Sequence, residues 1–174
     1  MSNAQEKKRI ALFGSTGSIG TQALDVIRSH ADLFEVEILT AQSNDSLLIE
    51  QALEFTPNAV VIGDEEKFEK VKNALSPKGI KVFAGIDALE EVADFDTYDI
   101  MLAAIVGFAG LTPTLKAVSK GKIVALANKE TLVVAGDIVM KTALENRAPV
   151  IPVDSEHSAV FQCLLGEARN PIEK

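Results

Sequence analysis

The sequence predicts an α/β fold in which a doubly wound parallel sheet of about seven strands carries helices on both faces. Three observations lead to this prediction. Short apolar runs alternate with amphipathic stretches along the chain, which is the pattern of strand–helix–strand repetition. The apolar runs are continuous rather than alternating, as in strands that are covered on both sides. The connections are short, so right-handed crossovers would bring successive strands into one parallel sheet.

Seven apolar runs are the candidate strands. They cover residues 9–13, 36–41, 59–62, 80–84, 99–106, 123–127 and 150–153. Gly14 ends the first run, and the fifth run is the longest candidate. Each run is followed by a stretch that can form a helix, so the order of elements fits the doubly wound architecture.

The candidate helices lie between these strands and after the last one. They cover residues 19–29, 47–55, 65–75, 87–92, 112–119, 131–145 and 155–166. In the first helix, Ile19, Ala23, Val26 and Ile27 are spaced as one apolar helix face. The second and third helices end before Pro57 and Pro77, because a proline disfavours helical geometry in the residue that precedes it.

Composition excludes several classes of protein. The chain has 174 residues with 17 Lys+Arg and 25 Asp+Glu, a net charge of −8, which argues against binding to nucleic acid or anionic membranes. The longest apolar stretch, residues 100–111, is about half as long as a membrane span. The single cysteine, Cys163, fits a reducing compartment and is expected in the core. We therefore predict a cytoplasmic protein that binds neither nucleic acid nor membranes.

A glycine-rich segment, GSTGSIG at residues 14–20, follows the first strand and opens the first helix. Glycines let a backbone approach a pyrophosphate closely, and the helix N-terminus offers N–H donors and the positive end of the helix dipole. The spacing Gly-x-x-Gly-x-x-Gly differs from the common Gly-x-Gly-x-x-Gly, and the alternative is a tight turn packed against its helix. The strand before it and the helix after it favour a Rossmann-type dinucleotide site.

The end of the second strand predicts which dinucleotide is bound. NAD-binding proteins usually place an Asp or Glu there to bind the ribose 2′-hydroxyl. Here the segment contains Gln42, Ser43 and Asn44, and no carboxylate precedes Asp45. A carboxylate would repel a 2′-phosphate, so its absence favours NADP. The same segment contains no Arg or Lys that could bind the phosphate.

Asn128, Lys129 and Glu130 follow the sixth strand, at the same predicted edge of the sheet. Asn128 is well placed to cap the next helix, and Glu130 would favour its first turn. A purely structural role accounts for these two residues. Lys129 is different, because a cation at a helix N-terminus opposes the dipole, so this lysine is expected to face an anionic ligand.

The segment after the seventh strand contains Asp154, Ser155 and Glu156. If the chain stays extended there, the two carboxylates point to one side. Converging carboxylates repel each other unless a cation lies between them, and oxygen ligands suit Mg²⁺ or Mn²⁺. The alternative is that Asp154 or Ser155 only begins the last helix. His157 is expected to be a surface or supporting residue rather than a ligand.

Four segments together resemble the 1-deoxy-D-xylulose 5-phosphate reductoisomerase family. They are GSTGSIG at 14–20, AAIVGFAGL at 103–111, ALANKE at 125–130 and PVDSEHSAVFQ at 152–162. The resemblance covers essentially the whole chain beyond its tail. It implies conversion of 1-deoxy-D-xylulose 5-phosphate to 2-C-methyl-D-erythritol 4-phosphate, dependent on NADPH and a divalent metal, in the non-mevalonate isoprenoid pathway.

The resemblance also assigns roles by position. It implies a pyrophosphate loop at Thr16, Gly17, Ser18 and Ile19, contacts near the adenosine phosphate at Ser43 and Asn44, further cofactor contacts at Asn128 and Glu130, substrate contacts at Lys129 and Ser155, and metal ligands at Asp154 and Glu156. Gln42 stands where members often have Gly, and Ser43 where many have a basic residue. In the implied mechanism a third carboxylate completes the ligand set of the metal, and the metal stabilises charge on the substrate oxygens during rearrangement. NADPH then delivers hydride.

The expected organisation has three parts. Residues 1–8 form an expression tag or disordered tail, residues 9–153 an NADPH-binding Rossmann domain, and residues 154–174 the start of a truncated catalytic domain. The family continues with a third metal-binding glutamate, a mobile loop, most of the substrate-phosphate site and a helical C-terminal domain. We therefore expect this chain to bind NADPH without turning over substrate, and the full-length protein to be a homodimer. Two alternatives are the domain of another NADP-dependent dehydrogenase and a stand-alone nucleotide-binding module.

Overall fold

The computed structural model describes residues 6–167, which fold into one α/β unit. Its strands are β1 Lys8–Phe13, β2 Phe34–Ala41, β3 Ala59–Ile62, β4 Lys81–Ala84, β5 Ile100–Ala103, β6 Ile123–Leu126 and β7 Val150–Pro152. Its helices are α1 Ser18–Ser29, α2 Asp45–Phe55, α3 Phe68–Leu75, α4 Gly85–Ala93, α5 Leu111–Ser119, α6 Glu130–Glu145 and α7 Ser155–Leu164. Short 3-10 turns cover Glu65–Lys67, Ser76–Lys78 and Phe108–Gly110.

The seven strands form one sheet in the order β4-β3-β2-β1-β5-β6-β7, and every described pair is parallel. The chain winds outward from β1 to β4 and then returns to the other side of β1 to add β5. Phe13 pairs with both Thr40 of β2 and Ala103 of β5, so these three strands end at the same level. This topology confirms the predicted doubly wound fold. It also places the reversal of strand order between β1 and β5, where such sheets bind ligands.

The sheet is buried on both faces, as its continuous apolar strands predict. Ala11 and Phe13 of β1 pack in one cluster with residues of α4, α5 and α6. Ile10 and Leu12 pack in the other, with residues of α1, α2 and α3. Successive side chains of a strand point to opposite faces, so one strand supplies both layers of the core.

Several boundaries differ from the predictions, among them the end of β5, the start of α3 and the start of β1. The fifth strand ends at Ala103 rather than at residue 106, and the eight-residue β2 is longer than it. The predicted third helix begins as a 3-10 turn, because Asp64 Oδ1 accepts a hydrogen bond from the N–H of Glu66. Strand β1 begins at Lys8, inside the segment assigned to the tail, and the Lys8 N–H donates to Leu33 O over 2.8 Å. The rest of that tail up to residue 5, and the predicted segment from 168 on, lie outside the described residues.

The last two helices of the described chain are irregular in different ways: the backbone of α6 is interrupted, and α7 buries none of its residues. Helix α6 is interrupted at Ala135, whose φ and ψ are −141° and 29°. Helix α7 has no buried residue, and Cys163 on it is exposed, so the prediction that this thiol belongs to the core was wrong. Among residues 6–167, none of the helices combines the length and the apolar character that crossing a bilayer requires.

Candidate functional site

The glycine loop makes the closest backbone contacts at the carboxyl edge of the sheet. Gly14 has a φ of 96°, and a Cβ there would lie 2.8 Å from Ala104 O. A Cβ on Gly20 would lie 2.2 Å from Gly14 O, so α1 packs directly on the loop. The Gly14 N–H donates to Thr40 Oγ1 over 3.0 Å, which holds the loop against the end of β2. Side chains at both glycine positions would force the loop apart.

Helix α2 supports the loop from the interior. Gln51 is buried and donates from Nε2 to Ser15 O over 3.0 Å. Within the described residues, Ser15 Oγ and Gln51 Oε1 are buried without a hydrogen-bond partner. Gln51 was not predicted as a site residue, although a glutamine between the apolar residues of a helix was a usable signal. It fixes the carbonyl of Ser15 and, with it, the course of the loop.

The N-terminus of α1 is open to a negatively charged group. Gly17 precedes the helix, no side chain caps it, and its first turn contains no acidic residue. A cleft of about 200 Å³ lies in front, lined among others by Gly14, Thr16, Gly17, Gln42 and Ile105. Ser18 and Ile19, which follow Gly17 in the first turn of α1, are exposed. Uncapped N–H groups and the positive end of the dipole suit a phosphate.

The end of β2 lies on the other side of this cleft. Asn44 Oδ1 accepts from the N–H of Leu47 over 3.2 Å, so Asn44 caps α2. The side chain of Gln42 lies over Gly63, where a Cβ would be 2.5 Å from its Oε1. Lys67 Nζ donates to the carbonyl oxygen of Ser43 over 2.5 Å. Residues 42–44 contain no Arg or Lys, but Lys67, from the connection after β3, brings a positive charge to this strand end.

Asn128 joins the ends of β5 and β6. Its buried Nδ2 donates to Ile105 O over 2.6 Å and to Gly107 O over 2.7 Å, while Oδ1 accepts from the N–H of Thr131 over 3.3 Å. Asn128 therefore caps the first turn of α6, as predicted, and also fixes the loop after β5. Its assignment as a cofactor contact stays a prediction. Lys129 and Glu130 are exposed beside it.

Asp154 begins the last helix. Its Oδ1 accepts from the N–H of His157 over 2.8 Å, and its Oδ2 lies 2.5 Å from His157 Nδ1. The hydrogen bonds from the His157 ring and backbone hold the pKa of Asp154 below its usual range. The chain is helical from Ser155 to Leu164, as the predicted last helix has it, so the condition under which both carboxylates would point to one side of an extended segment is not met. The alternative, in which Asp154 starts the helix, describes the observed geometry, and Glu156 lies exposed in the first turn.

Lys129 and Asp154 share a second pocket of about 220 Å³ with His157. The loop after β5, which includes Ile105 and Val106, borders the glycine-loop cleft. The ends of β1, β6 and β7 therefore lie along one edge of the sheet but form two pockets. In residues 6–167, no group of three or more His, Cys, Asp and Glu side chains could hold a metal ion. The assignment of Asp154 and Glu156 as metal ligands stays a prediction, which rests on the preference of Mg²⁺ for carboxylate oxygens.

A glycine loop that opens an uncapped helix at the switch point of a parallel sheet defines a Rossmann-type dinucleotide-binding domain. A family model for 1-deoxy-D-xylulose 5-phosphate reductoisomerase matches residues 10–136. This chain belongs to that family.

Relatives and solved structures agree with the family model. The chain is 56% identical over 172 residues to 1-deoxy-D-xylulose 5-phosphate reductoisomerase of Bacteroides fragilis, covering 99% of this chain and 44% of that protein. The Zymomonas mobilis enzyme in complex with NADPH superposes with a TM-score of 0.91 at 40% identity, over 97% of this chain and 44% of that one. A reductoisomerase with NADPH, fosmidomycin and magnesium gives 0.87 at 38% identity, over 92% and 40%. The chain thus spans less than half the length of the relatives it matches.

Proposed function

We propose that residues 9–153 form the NADPH-binding part of a 1-deoxy-D-xylulose 5-phosphate reductoisomerase, and that residues 154–174 begin its metal- and substrate-binding region. The observation that carries this proposal is the glycine loop, whose backbone packing leaves no room for a Cβ at Gly14 or Gly20 and leaves the N-terminus of α1 uncapped. Solved relatives with NADPH and with magnesium support the choice of ligands.

In the proposed complex, the assigned residues contact different parts of NADPH. The backbone of Thr16, Gly17, Ser18 and Ile19 would bind the pyrophosphate, Ser43 and Asn44 would lie near the adenosine phosphate, and Asn128 and Glu130 would contact the rest of the cofactor. Because Asn128 also fixes the loop after β5, it sets the wall against which the cofactor lies. The negative charge of the whole chain makes these local donors essential, since the overall field repels phosphate.

The second pocket would hold the substrate, 1-deoxy-D-xylulose 5-phosphate. Lys129 is exposed at its edge and offers a positive charge to an anionic substrate, and Ser155 follows the Asp154 cap. Asp154 and Glu156 would hold Mg²⁺ or Mn²⁺. When bound, the cation would supply Lewis-acid stabilisation for the rearrangement, and NADPH would supply the hydride. The chain's own residues orient these groups at neighbouring positions of one sheet edge. We propose a cytoplasmic homodimer for the full-length enzyme.

The proposal is tested by titrating the 174-residue chain with NADPH and following the cofactor's fluorescence. We expect saturable binding that Ser18→Glu weakens by at least about tenfold, because a carboxylate at the helix N-terminus repels the pyrophosphate. The same substitution favours the helix dipole and should stabilise the fold by about 0.3–1 kcal/mol. A variant that binds NADPH more weakly but is more stable than the unsubstituted chain cannot owe its weaker binding to misfolding, so the loss is due to repulsion of the pyrophosphate.

Ser29→Glu is the matched control. Ser29 is an exposed serine at the other end of α1, about 16 Å from Ser18 at 1.5 Å per residue. The glutamate of Ser29→Glu adds the same charge as that of Ser18→Glu but does not face the cleft, so the NADPH affinity should be nearly unchanged. Equal affinities for both variants would contradict the proposed site. Since residues 6–167 offer only a partial metal ligand set, we also expect no substrate-dependent NADPH oxidation with Mn²⁺.

A further inference from the structure

Lys67 lies beside the end of β2 although it belongs to the segment after β3. It is the last residue of the 3-10 turn Glu65–Lys67, and its side chain is 36% exposed. Its ammonium group donates to the carbonyl oxygen of Ser43 over 2.5 Å. This contact places a positive charge at the strand end where the sequence itself offers only Gln42, Ser43 and Asn44.

The surroundings leave this ammonium group able to bind an anion. Asp45 Oδ1 is 3.7 Å and Asp64 Oδ2 3.6 Å from Lys67 Nζ, both beyond ordinary hydrogen-bond distances. Asp45 has a closer cation, because its Oδ2 pairs directly with Lys70. The hydrogen bond from Lys70 holds the pKa of Asp45 below its usual range, so Asp45 stays ionised and paired. An ammonium group has three donors, and the Ser43 contact uses one of them.

The nearby glutamates do not occupy Lys67 either. Among the described ion pairs and hydrogen bonds, neither Glu65 nor Glu66 pairs with this lysine. The carboxylate of Glu65 lies against Gly85 at the start of α4, where a Cβ would be 2.5 Å from its Oε1. The direct hydrogen bond of Lys67 is therefore to Ser43, while the Asp45 and Asp64 carboxylates lie within ion-pair distance of its ammonium group.

In doubly wound dinucleotide-binding domains, the residue at the end of the second strand lies next to the adenosine ribose, and a cation there accommodates a 2′-phosphate. We infer that Lys67 binds the 2′-phosphate and gives this chain its preference for NADPH over NADH. This inference rests on the proposed NADPH site. It names a residue from the neighbouring strand–helix connection, because residues 42–44 after β2 include no Arg or Lys.

The test compares nucleotides that differ only in the 2′-phosphate. The 174-residue chain and its Lys67→Gln variant are titrated with NADPH and NADH, and then with adenosine 2′,5′-bisphosphate and AMP. Loss of a charge-assisted hydrogen bond should weaken binding of NADPH and of the bisphosphate by about tenfold or more. Affinities for NADH and AMP should change by less than about twofold, because neither nucleotide has a group at that position.

Lys72→Gln is the control, since Lys72 is exposed on the adjoining helix α3 and its ammonium group lies 5.2 Å from the centre of the Phe68 ring. It removes the same charge without reaching Ser43, so the preference for NADPH should persist. Equal weakening of NADPH and NADH by Lys67→Gln would assign the lysine a structural role and overturn the inference while leaving cofactor binding intact. Undiminished NADPH affinity, or no preference in the unsubstituted chain, would also overturn it. If the unsubstituted chain binds neither dinucleotide, the proposed function itself fails.

Discussion

Replacing Gly20 by alanine tests whether the packing of α1 on the glycine loop holds the site together. Gly20 is buried in the first turn of α1, and its φ lies outside the left-handed region, so alanine fits the local backbone. The added Cβ would lie 2.2 Å from Gly14 O and 2.7 Å from Ser15 Cα, both in the backbone of the loop. These atoms cannot rotate away as a side chain would, so α1 and the loop must separate.

The magnitude follows from two opposing effects. Alanine in a helix is favoured over glycine by about 1 kcal/mol. Overpacking usually costs about 1–3 kcal/mol, and a contact with backbone atoms that cannot move aside is expected at the upper end, about 3 kcal/mol. Gly20→Ala should therefore lower the free energy of unfolding by about 2 kcal/mol, which lowers the melting temperature by roughly 4–8 °C for a chain of this size. Because the loop moves, NADPH binding should weaken as well.

Gly136→Ala is the matched comparison within the same chain. Gly136 lies in α6, and the nearest atom to its added Cβ, Leu132 Cβ, is 3.8 Å away, an ordinary contact. Because α6 is interrupted at the preceding Ala135, the helix preference should act only in part and raise stability by at most about 1 kcal/mol. Urea unfolding of both variants, followed by circular dichroism, measures the difference. A Gly20→Ala chain as stable as Gly136→Ala would refute the packing argument.

Two further predictions concern buried polar groups. Gln51→Met keeps the side-chain volume but removes the donor to Ser15 O. We expect the free energy of unfolding, measured by thermal denaturation, to fall by about 1 kcal/mol and NADPH binding to weaken. An unchanged NADPH affinity would show that the loop needs no support from α2. Burial raises the pKa of Tyr98, the only tyrosine of the chain, so the native protein should show no tyrosinate absorbance at 295 nm at a pH where the unfolded chain, with its ordinary value near 10.0, is ionised. Since the unfolded state then binds fewer protons than the native state, stability should fall as the pH rises above about 10.

The fold was predictable because the sequence is locally consistent. The apolar runs of β1, β2, β3 and β5 bury both faces of their strands, and each predicted strand is followed by a helix. The strand at Ala59–Ile62 has the predicted bounds, and α1, α2 and α5 differ by at most two residues at their starts. Glycine and proline mark several of the ends, since both residues restrict which conformation can continue.

The fifth strand was predicted to be too long because the apolar run continues beyond the end of the strand at Ala103. Ile105 and Val106 continue the apolar run of β5, yet they leave the sheet and border the glycine-loop cleft. Gly107 has a φ of 73°, which turns the chain there, and Val106 is 84% exposed. Hydrophobicity alone cannot distinguish a strand from a loop that lines a ligand cleft. The exposed Cys163 has the same explanation, because the apolar residues of α7 do not contact the described core.

The remaining site contacts depend on strand order, which the spacing of residues along a chain does not reveal. Lys67 reaches Ser43 because β3 lies beside β2, so the connection that leaves β3 begins next to the end of β2. Asn128 reaches Ile105 in the same way, because β6 lies beside β5. Both contacts join residues more than 20 positions apart, from the ends of neighbouring strands. In a doubly wound sheet, the search for a missing phosphate ligand should therefore extend from the end of β2 to the connection that follows its outer neighbour.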